Sequence, residues 1–188
     1  MLPARYNAAE TFIDSHRGVR ESAVAIRWQG KTVTYGELAA NVDRCGNALR
    51  ELGIGLEQRV LILCVDSPSF VYAFFGAIKI GAVPVPTNTL LTSRDLAYVL
   101  NDSRAVAVVV SAPLLPKVVE IRNDVPRLKH VIVAGGDESA GVLSLEQLLA
   151  AASAELSPAD TTPDDPCFWL TPPARPASRR VPCTCSTT

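Results

Sequence analysis

The sequence predicts an α/β fold with a doubly wound, mainly parallel sheet. Short runs rich in aliphatic and β-branched residues alternate with helical patterns from Ala23 to Leu170. Two of these runs, "RVLILCV" (Arg59 to Val65) and "AVAVVVS" (Ala105 to Ser111), are apolar almost throughout. Continuous apolar runs are typical of parallel strands that helices cover on both faces. Alternation of such strands with helices predicts right-handed crossovers between neighbouring strands.

The first elements are a strand pair and a long helix. "AVAIRW" and "KTVTY" are separated by Gln29-Gly30, which predicts a hairpin turn. Thr34 and Glu37 then have the spacing of a capping box, in which each side chain bonds a backbone N–H of the first helical turn. Apolar residues follow at steps of four and three as far as Leu52, and Gly53 suits the left-handed position after a helix.

The remaining elements continue the alternation. After the strand "RVLILCV", Ser67 and Pro68 predict an N-cap and first turn for a helix that carries Phe70, Phe74, Phe75 and Ile78. The later predicted elements, in order, are a strand "AVPVP", a helix starting at Thr92 and Asp95, a strand "AVAVVVS", a helix after Pro116, a strand "HVIVAGG", a helix "SLEQLLAAA" and a last strand "CFWL". The composition of the segment from Ser153 to Pro166 predicts an exposed connector.

The composition indicates a globular protein without special partners. Of the 188 residues, 48% are hydrophobic and the net charge is −1, so we expect neither a nucleic-acid nor an anionic-membrane partner. The start lacks the features of a signal peptide, and we expect a cytoplasmic protein. The most apolar stretch, 70–86, is interrupted by Lys79, Gly81 and two prolines, which argues against a membrane span. The five cysteines fit core thiols of a reducing compartment, although Cys183 and Cys185 have no explanation on this view.

Candidate binding residues follow the predicted strands, because ligands of such sheets bind at the carboxyl ends of the strands. The positions are Asp66 and Ser67, Thr87 and Asn88, and Gly135 and Gly136. At each position we favour a structural role. Asp66 and Ser67 are polar groups at a helix start, Thr87 and Asn88 form a turn, and the two glycines belong to a plain loop. The glycine pair lacks the spacing of a dinucleotide-binding turn.

The other reactive residue types do not form a recognisable site in the sequence. We interpret His16 and His130 as surface or packing residues. Cys183 and Cys185 flank a single residue, a spacing that is insufficient for a metal site without further ligands. No serine lies in a nucleophile elbow. No metal-binding residue is therefore predicted.

Three stretches in order resemble the early landmarks of the adenylate-forming (AMP-dependent synthetase/ligase) superfamily. They are "VTYGEL" (Val33 to Leu38), "GAIKIGAVPVPTNTLLT" (Gly76 to Thr92) and "DDPCFWL" (Asp164 to Leu170). "YNAAETFID", "NTLLT" and "VVVSAPLLP" resemble its benzoate–CoA ligase branch in particular. The resemblance spans residues 5–170. It implies that 1–170 is the first part of the large N-terminal domain of an adenylate-forming enzyme.

The resemblance implies an acid–CoA ligase in the intact protein. ATP and an aromatic carboxylate such as benzoate would form an acyl-adenylate and pyrophosphate, and the thiol of CoA would then displace AMP; Mg²⁺ is implied for the first step. In such enzymes the adenine, ribose and aryl-binding segments and the C-terminal domain would follow beyond residue 188. No catalytic, cofactor-binding or metal-binding residue is therefore assigned here. We expect this chain alone to be inactive and to bind none of these molecules tightly.

The sequence after Leu170 departs from the resemblance. In the family, the strand resembling "CFWL" leads into a Ser-, Thr- and Gly-rich loop that closes on the phosphates of ATP. Here "TPPARPASRRVPCTCSTT" follows, and proline lacks the N–H groups that such a loop needs. Codons can be chosen for this tail so that adding one nucleotide after Leu170 restores "YSAGSTGQPKGSVHLQHD". We therefore expect 171–188 to be a frameshifted, disordered tail, with Arg180 overlapping the codon of the phosphate-binding lysine.

Two other functional classes remain open at this stage. The chain could be a binding or dimerising α/β module, which would require a stable fold and a monodisperse solution state. It could also be a separate doubly wound domain that binds a nucleotide at its own switch point, which would require a glycine-rich turn between a strand and a helix. The sequence predicts no oligomeric state.

Overall fold

The computed structural model describes residues 4–170, which form a small hairpin and a parallel sheet covered by helices on both faces. The helices are α1 (Ala8–Phe12), α2 (Tyr35–Glu51), α3 (Pro68–Lys79), α4 (Ser93–Ser103), α5 (Leu115–Glu120) and α6 (Leu145–Ala151). The strands are β1 (Val24–Trp28), β2 (Lys31–Thr34), β3 (Arg59–Leu63), β4 (Val83–Pro86), β5 (Ala107–Ser111), β6 (His130–Ala134) and β7 (Leu143–Ser144).

The hairpin and the start of α2 form as the sequence predicts. β1 and β2 pair antiparallel, and Gln29 (φ 47°) and Gly30 (φ 75°) both have the positive φ of a two-residue hairpin turn. At the start of α2, the Glu37 N–H donates to Thr34 Oγ1 (3.2 Å), while the Thr34 N–H donates to Glu37 Oε2 (2.8 Å). The capping box is therefore complete, and Gly53 adopts the left-handed conformation (φ 77°) after the helix.

The main sheet has the strand order β4-β3-β5-β6-β7, and neighbouring strands in it run parallel. On one face, apolar residues of α2, α3 and α6 pack against alternate residues of the strands, such as Val60 and Ile62. On the other face, α4 and α5 cover Leu61 and Leu63. The doubly wound parallel sheet predicted from the sequence is thus confirmed.

The end of the described chain differs from the prediction of a last strand. The N–H of Trp169 donates to Pro84 O (3.1 Å), but "CFWL" is not a strand of the sheet. The outer edge of β4 explains this, because Pro84 and Pro86 have no N–H to donate to a neighbour. The segment nevertheless packs against neighbouring elements, since Phe168 contacts Phe74 of α3 and the guanidinium of Arg59 of β3 lies over the Trp169 ring.

Three smaller features of the structure go beyond or differ from the sequence predictions. Ser67 occupies the N-cap of α3, but its side chain makes no capping bond; its carbonyl instead accepts from the Phe70 N–H (3.2 Å). β7 was not predicted, because two residues are too short to show a pattern. Residues 153–170, called the strap below, are more than an exposed connector: Asn47 of α2 donates to Ser153 O (2.8 Å), and the Ala159 N–H donates to Lys79 O (2.7 Å).

Candidate functional site

The carboxyl ends of β3, β4, β5 and β6 meet at one edge of the sheet, because these strands run parallel. The candidate residues predicted from the sequence, at 66–67, 87–88 and 135–136, therefore all follow strands at this edge. What their side chains contact decides whether the edge is available for a ligand.

Thr87 and Asn88, after β4, form the turn that was predicted for them. The Thr87 N–H donates to Ile62 O (3.0 Å), and its hydroxyl donates to Val85 O (3.1 Å). Asn88 Oδ1 accepts from the Leu90 N–H (2.9 Å), which is an Asx turn. Both side chains thus bond the local backbone, which is the structural role favoured by the sequence.

The end of β3 is fixed by a residue that the sequence did not single out. Ser111, at the end of β5, is buried, and its hydroxyl accepts from the Val65 N–H (3.1 Å). Cys64 is buried beside it, and burial raises the pKa of this thiol to about 11. Such a thiol is protonated at neutral pH and is a poor nucleophile. Asp66 is exposed on the solvent side of these contacts.

Gly135 and Gly136 serve the packing of the loop after β6. The Gly135 N–H donates to Glu146 Oε1 at the start of α6 (2.9 Å). A Cβ on Gly136 would lie 3.0 Å from Val133 Cγ2 and 3.2 Å from Ala112 Cβ. The N–H of Gly135 is thus engaged by the carboxylate of Glu146, and Gly136 lies against Val133 and Ala112.

The histidines and acidic residues form no metal site in the part of the chain that is described. His16 packs against Tyr35 with ring centroids 4.2 Å apart, while burial lowers the pKa of His130 at the start of β6. Within residues 4–170 no three His, Cys, Asp or Glu side chains are grouped so as to hold a metal ion. The described residues therefore offer no set of three protein side chains for Mg²⁺. Cys183 and Cys185, with the predicted frameshifted tail, lie outside the described residues.

A buried charge cluster lies between α2, α3 and the turn after α1. Lys79 is only 1% exposed, and its Nζ forms ion pairs with Asp14 (2.8 Å) and Asp43; Arg17 also pairs with Asp43 (2.6 Å). Burial raises the pKa of Asp43, although the hydrogen bond and charge of Lys79 and the charge of Arg17 oppose this. One feature of the sequence points to the cluster, a lysine inside the apolar run "GAIKIGA", which we interpreted only as an interruption of that run.

No helix within residues 4–170 has both the length and the hydropathy to span a bilayer.

The end of the strap lies beside β4. Cys167 and Ala82 line the same small pocket, and the backbone N–H of Trp169 donates to Pro84 O. The last described residues therefore run in the same direction as β4 and lead towards the carboxyl edge of the sheet.

The family is decided by the match of this chain to known proteins. A model of the AMP-binding enzyme family matches residues 14–170. The chain belongs to this family. The benzoate–CoA ligase of Thauera aromatica is 46% identical over 172 residues, which are 90% of this chain and 32% of that protein. The 4-hydroxybenzoate–CoA/benzoate–CoA ligase of Rhodopseudomonas palustris is 39% identical over 172 residues, 89% of this chain and 31% of that protein.

Solved structures of family members share the fold. The anthranilate CoA ligase AuaEII in complex with anthranoyl-AMP superimposes with a TM-score of 0.86 and 32% identity, covering 89% of this chain and 32% of that one. A benzoate CoA ligase from Burkholderia xenovorans LB400 gives a TM-score of 0.79 with 33% identity, covering 88% and 32%. This chain thus has the fold of the N-terminal part of adenylate-forming enzymes, and it spans about a third of the length of these family members.

Proposed function

We propose that this chain is the N-terminal part of an AMP-forming aryl-acid–CoA ligase whose substrate is benzoate or a related acid. In the reaction, a carboxylate oxygen attacks the α-phosphorus of ATP and pyrophosphate leaves. The sulfur of CoA then attacks the acyl carbon, and AMP leaves as the thioester forms. The 46% identity to a benzoate–CoA ligase carries the proposal. Because ATP and CoA are cytoplasmic metabolites, we place the reaction in the cytoplasm.

We also propose that the 188-residue chain by itself does not catalyse this reaction. The carboxyl edge of its sheet is occupied by structural contacts of Thr87, Asn88, Ser111 and Glu146. Transition-state stabilisation in such a reaction needs charges and N–H donors aimed at the phosphates. These bonds of the four residues instead go to other groups of the chain, which supports the proposed inactivity.

The test is an assay of AMP and benzoyl-CoA in mixtures of the purified chain with ATP, Mg²⁺, benzoate and CoA. We expect no product above the enzyme-free mixture, while the intact Thauera aromatica ligase under the same conditions gives both products. Release of AMP that depends on benzoate and CoA would contradict the proposed inactivity.

We further propose that residues 171–188 are translated out of frame. The family match ends at Leu170, the residue after which the sequence departs from the family pattern, and this supports the proposal. Sequencing the gene around codon 170 tests it: adding one nucleotide should open a long frame that continues the family pattern. The repaired gene then tests the substrate. Benzoate-dependent AMP release by its product would support the proposed ligase, whereas preference for an aliphatic acid would contradict the aryl assignment.

A further inference from the structure

The side chain of Asn7 joins three parts of the molecule and is only 2% exposed. Its Oδ1 accepts from the Ala9 N–H (3.1 Å) and so caps α1. Its Nδ2 donates to Ile78 O in the last turn of α3 (3.1 Å) and to Thr161 Oγ1 in the strap (3.2 Å). Carbonyls at the end of a helix lack partners within the helix, so Asn7 supplies a donor to α3 while also holding the strap.

Thr161 completes the connection from the side of the strap. Its hydroxyl donates to Tyr6 O (2.7 Å), and the Tyr6 N–H donates to Thr161 O (2.7 Å). Thr161 is 9% exposed, so these bonds are largely shielded from water. Tyr6, Asn7 and Thr161 thus form a closed set of hydrogen bonds, called the clasp below.

The contacts after the clasp lie nearer to solvent. Phe168 is 36% exposed and packs against Phe74, while Trp169 is 39% exposed and donates its N–H to Pro84 O. Segments whose hydrogen bonds are exposed open more readily than buried ones. The alignment of 167–170 with β4 therefore depends on how firmly the strap is held just before it.

We propose that Asn7 and Thr161 are positioning residues with which the N-terminal segment holds the strap, and that the clasp maintains the alignment of residues 167–170 with β4. The inference concerns residues 4–170 and does not rest on the proposed ligase reaction. It predicts that the strap opens as a local unit when the clasp is broken. The sheet should remain intact in that event, because its strands are packed in two apolar clusters to which the strap contributes only Leu156.

Hydrogen exchange of the full chain tests the proposal with Asn7→Ser. Serine is also a good N-cap, so the cap on α1 is kept, but its side chain is too short to donate to Ile78 O and Thr161 Oγ1. We expect the amides of Ala159 and Trp169 to exchange about tenfold faster, the effect of losing one or two net hydrogen bonds. The amides of Val108 and Val110 in β5 should keep their rates.

Thr161 provides the matched pair of variants. Thr161→Val keeps the shape but removes the hydroxyl, and we expect the same acceleration at Trp169. Thr161→Ser keeps the hydroxyl and should exchange like the parent. The double variant Asn7→Ser/Thr161→Val should be no faster at Trp169 than the faster single variant, because both break one connected set of bonds.

Asn47→Ala, in α2, is the control for contacts at the other end of the strap. It removes the donor to Ser153 O and Glu155 O and should leave the Trp169 amide unchanged. Unchanged exchange at Trp169 in Thr161→Val would overturn the proposal. Equal acceleration at Trp169 and in β5 would overturn it too, because the clasp would then only contribute to global stability. Acrylamide quenching of Trp169 in a Trp28→Phe background gives a second readout with the same expected order of variants.

Discussion

At the scale of single residues, Lys79 is the most deeply buried charged residue in the described chain. It is almost fully buried and forms ion pairs with Asp14 and Asp43, and a buried charge is tolerated only when it is paired. Removing one partner of a buried pair is costly because the other charge stays buried without compensation. The cluster also ties the turn after α1 to α2 and α3, so its loss would affect three elements.

We predict that Lys79→Met lowers the free energy of unfolding by about 3–5 kcal/mol at neutral pH. Adding Asp43→Leu should recover part of this loss, because it removes the buried carboxylate that has lost Lys79 and keeps only the partly exposed Arg17 as its partner. Urea unfolding of the parent, single and double variants measures both effects. Asp160→Ala, which removes the exposed pair with Arg5, is the control and should change little.

The loss of stability in Lys79→Met should depend on pH in one direction. Burial already raises the pKa of Asp43 above 3.8 in the parent, and removal of Lys79 should raise it further. A carboxyl with a raised pKa in the folded state binds its proton more tightly there, so stability is gained as the pH falls through that pKa. The difference between parent and Lys79→Met should therefore shrink in acid. A difference that grew in acid would show that the loss of the Lys79 charge beside Asp43 is not the cause of the destabilisation.

At the scale of elements, α2 and α3 are held together by a contact between two glycines. A Cβ on Gly76 would lie 2.9 Å from Cys45 Cβ, 3.0 Å from the backbone N of Gly46 and 3.1 Å from Val42 O. Backbone atoms cannot rotate out of the way as the end of a long side chain can. The two helices would therefore have to separate to admit even one methyl group, which explains physically why a glycine suits this place in the landmark that begins at Gly76.

We predict that Gly76→Ala destabilises the fold by about 1–3 kcal/mol, as overpacking of a core does. The measurement is again urea unfolding. Gly55→Ala is the matched control, since a Cβ there meets nothing within 4 Å and should be close to neutral. Equal effects of the two substitutions would mean that helix separation is not the cause.

Local sequence predicted those elements that are decided by local interactions. The turn at Gln29-Gly30 and the capping box at Thr34 and Glu37 each depend on residues that are close in the chain, and both are present in the structure. "CFWL" was assigned as a strand from its own residues, but pairing depends on its neighbour, the proline-bearing edge of β4. The partners of Lys79 were not foreseen either, because they come from two other elements.

The contacts of the candidate site also divide into those that local sequence predicts and those that depend on distant parts of the chain. The turn roles of Thr87 and Asn88 follow from their type and place after a strand, and the structure confirms them. Ser111 and Glu146 were missed, because each bonds the end of a different strand or loop that the fold brings next to it. The hydrogen bond of Asn7 with Thr161 joins residues from opposite ends of the described chain, and no local sequence pattern indicates it.

At the scale of the whole molecule, the described chain has an apolar end beside an open sheet edge. Phe168, Trp169 and Leu170 are 36%, 39% and 63% exposed and adjoin the outer edge of β4. Pro84 and Pro86 protect that edge against strand addition, since they remove its N–H donors, but they do not cover the apolar side chains. A net charge of −1 provides little repulsion between copies.

We therefore predict that the purified chain self-associates through the exposed side chains of residues 168–170, as exposed apolar patches commonly cause. Leu170→Glu should shift sedimentation velocity profiles towards the monomer at a given concentration. Leu90→Glu is the matched control: Leu90 is 84% exposed and the substitution changes the net charge equally, but its site lies in the turn before α4. If both variants raised the monomer fraction alike, net charge would be responsible and the apolar end would not. A monodisperse parent that unfolds cooperatively would instead favour the view of this chain as a self-contained α/β module.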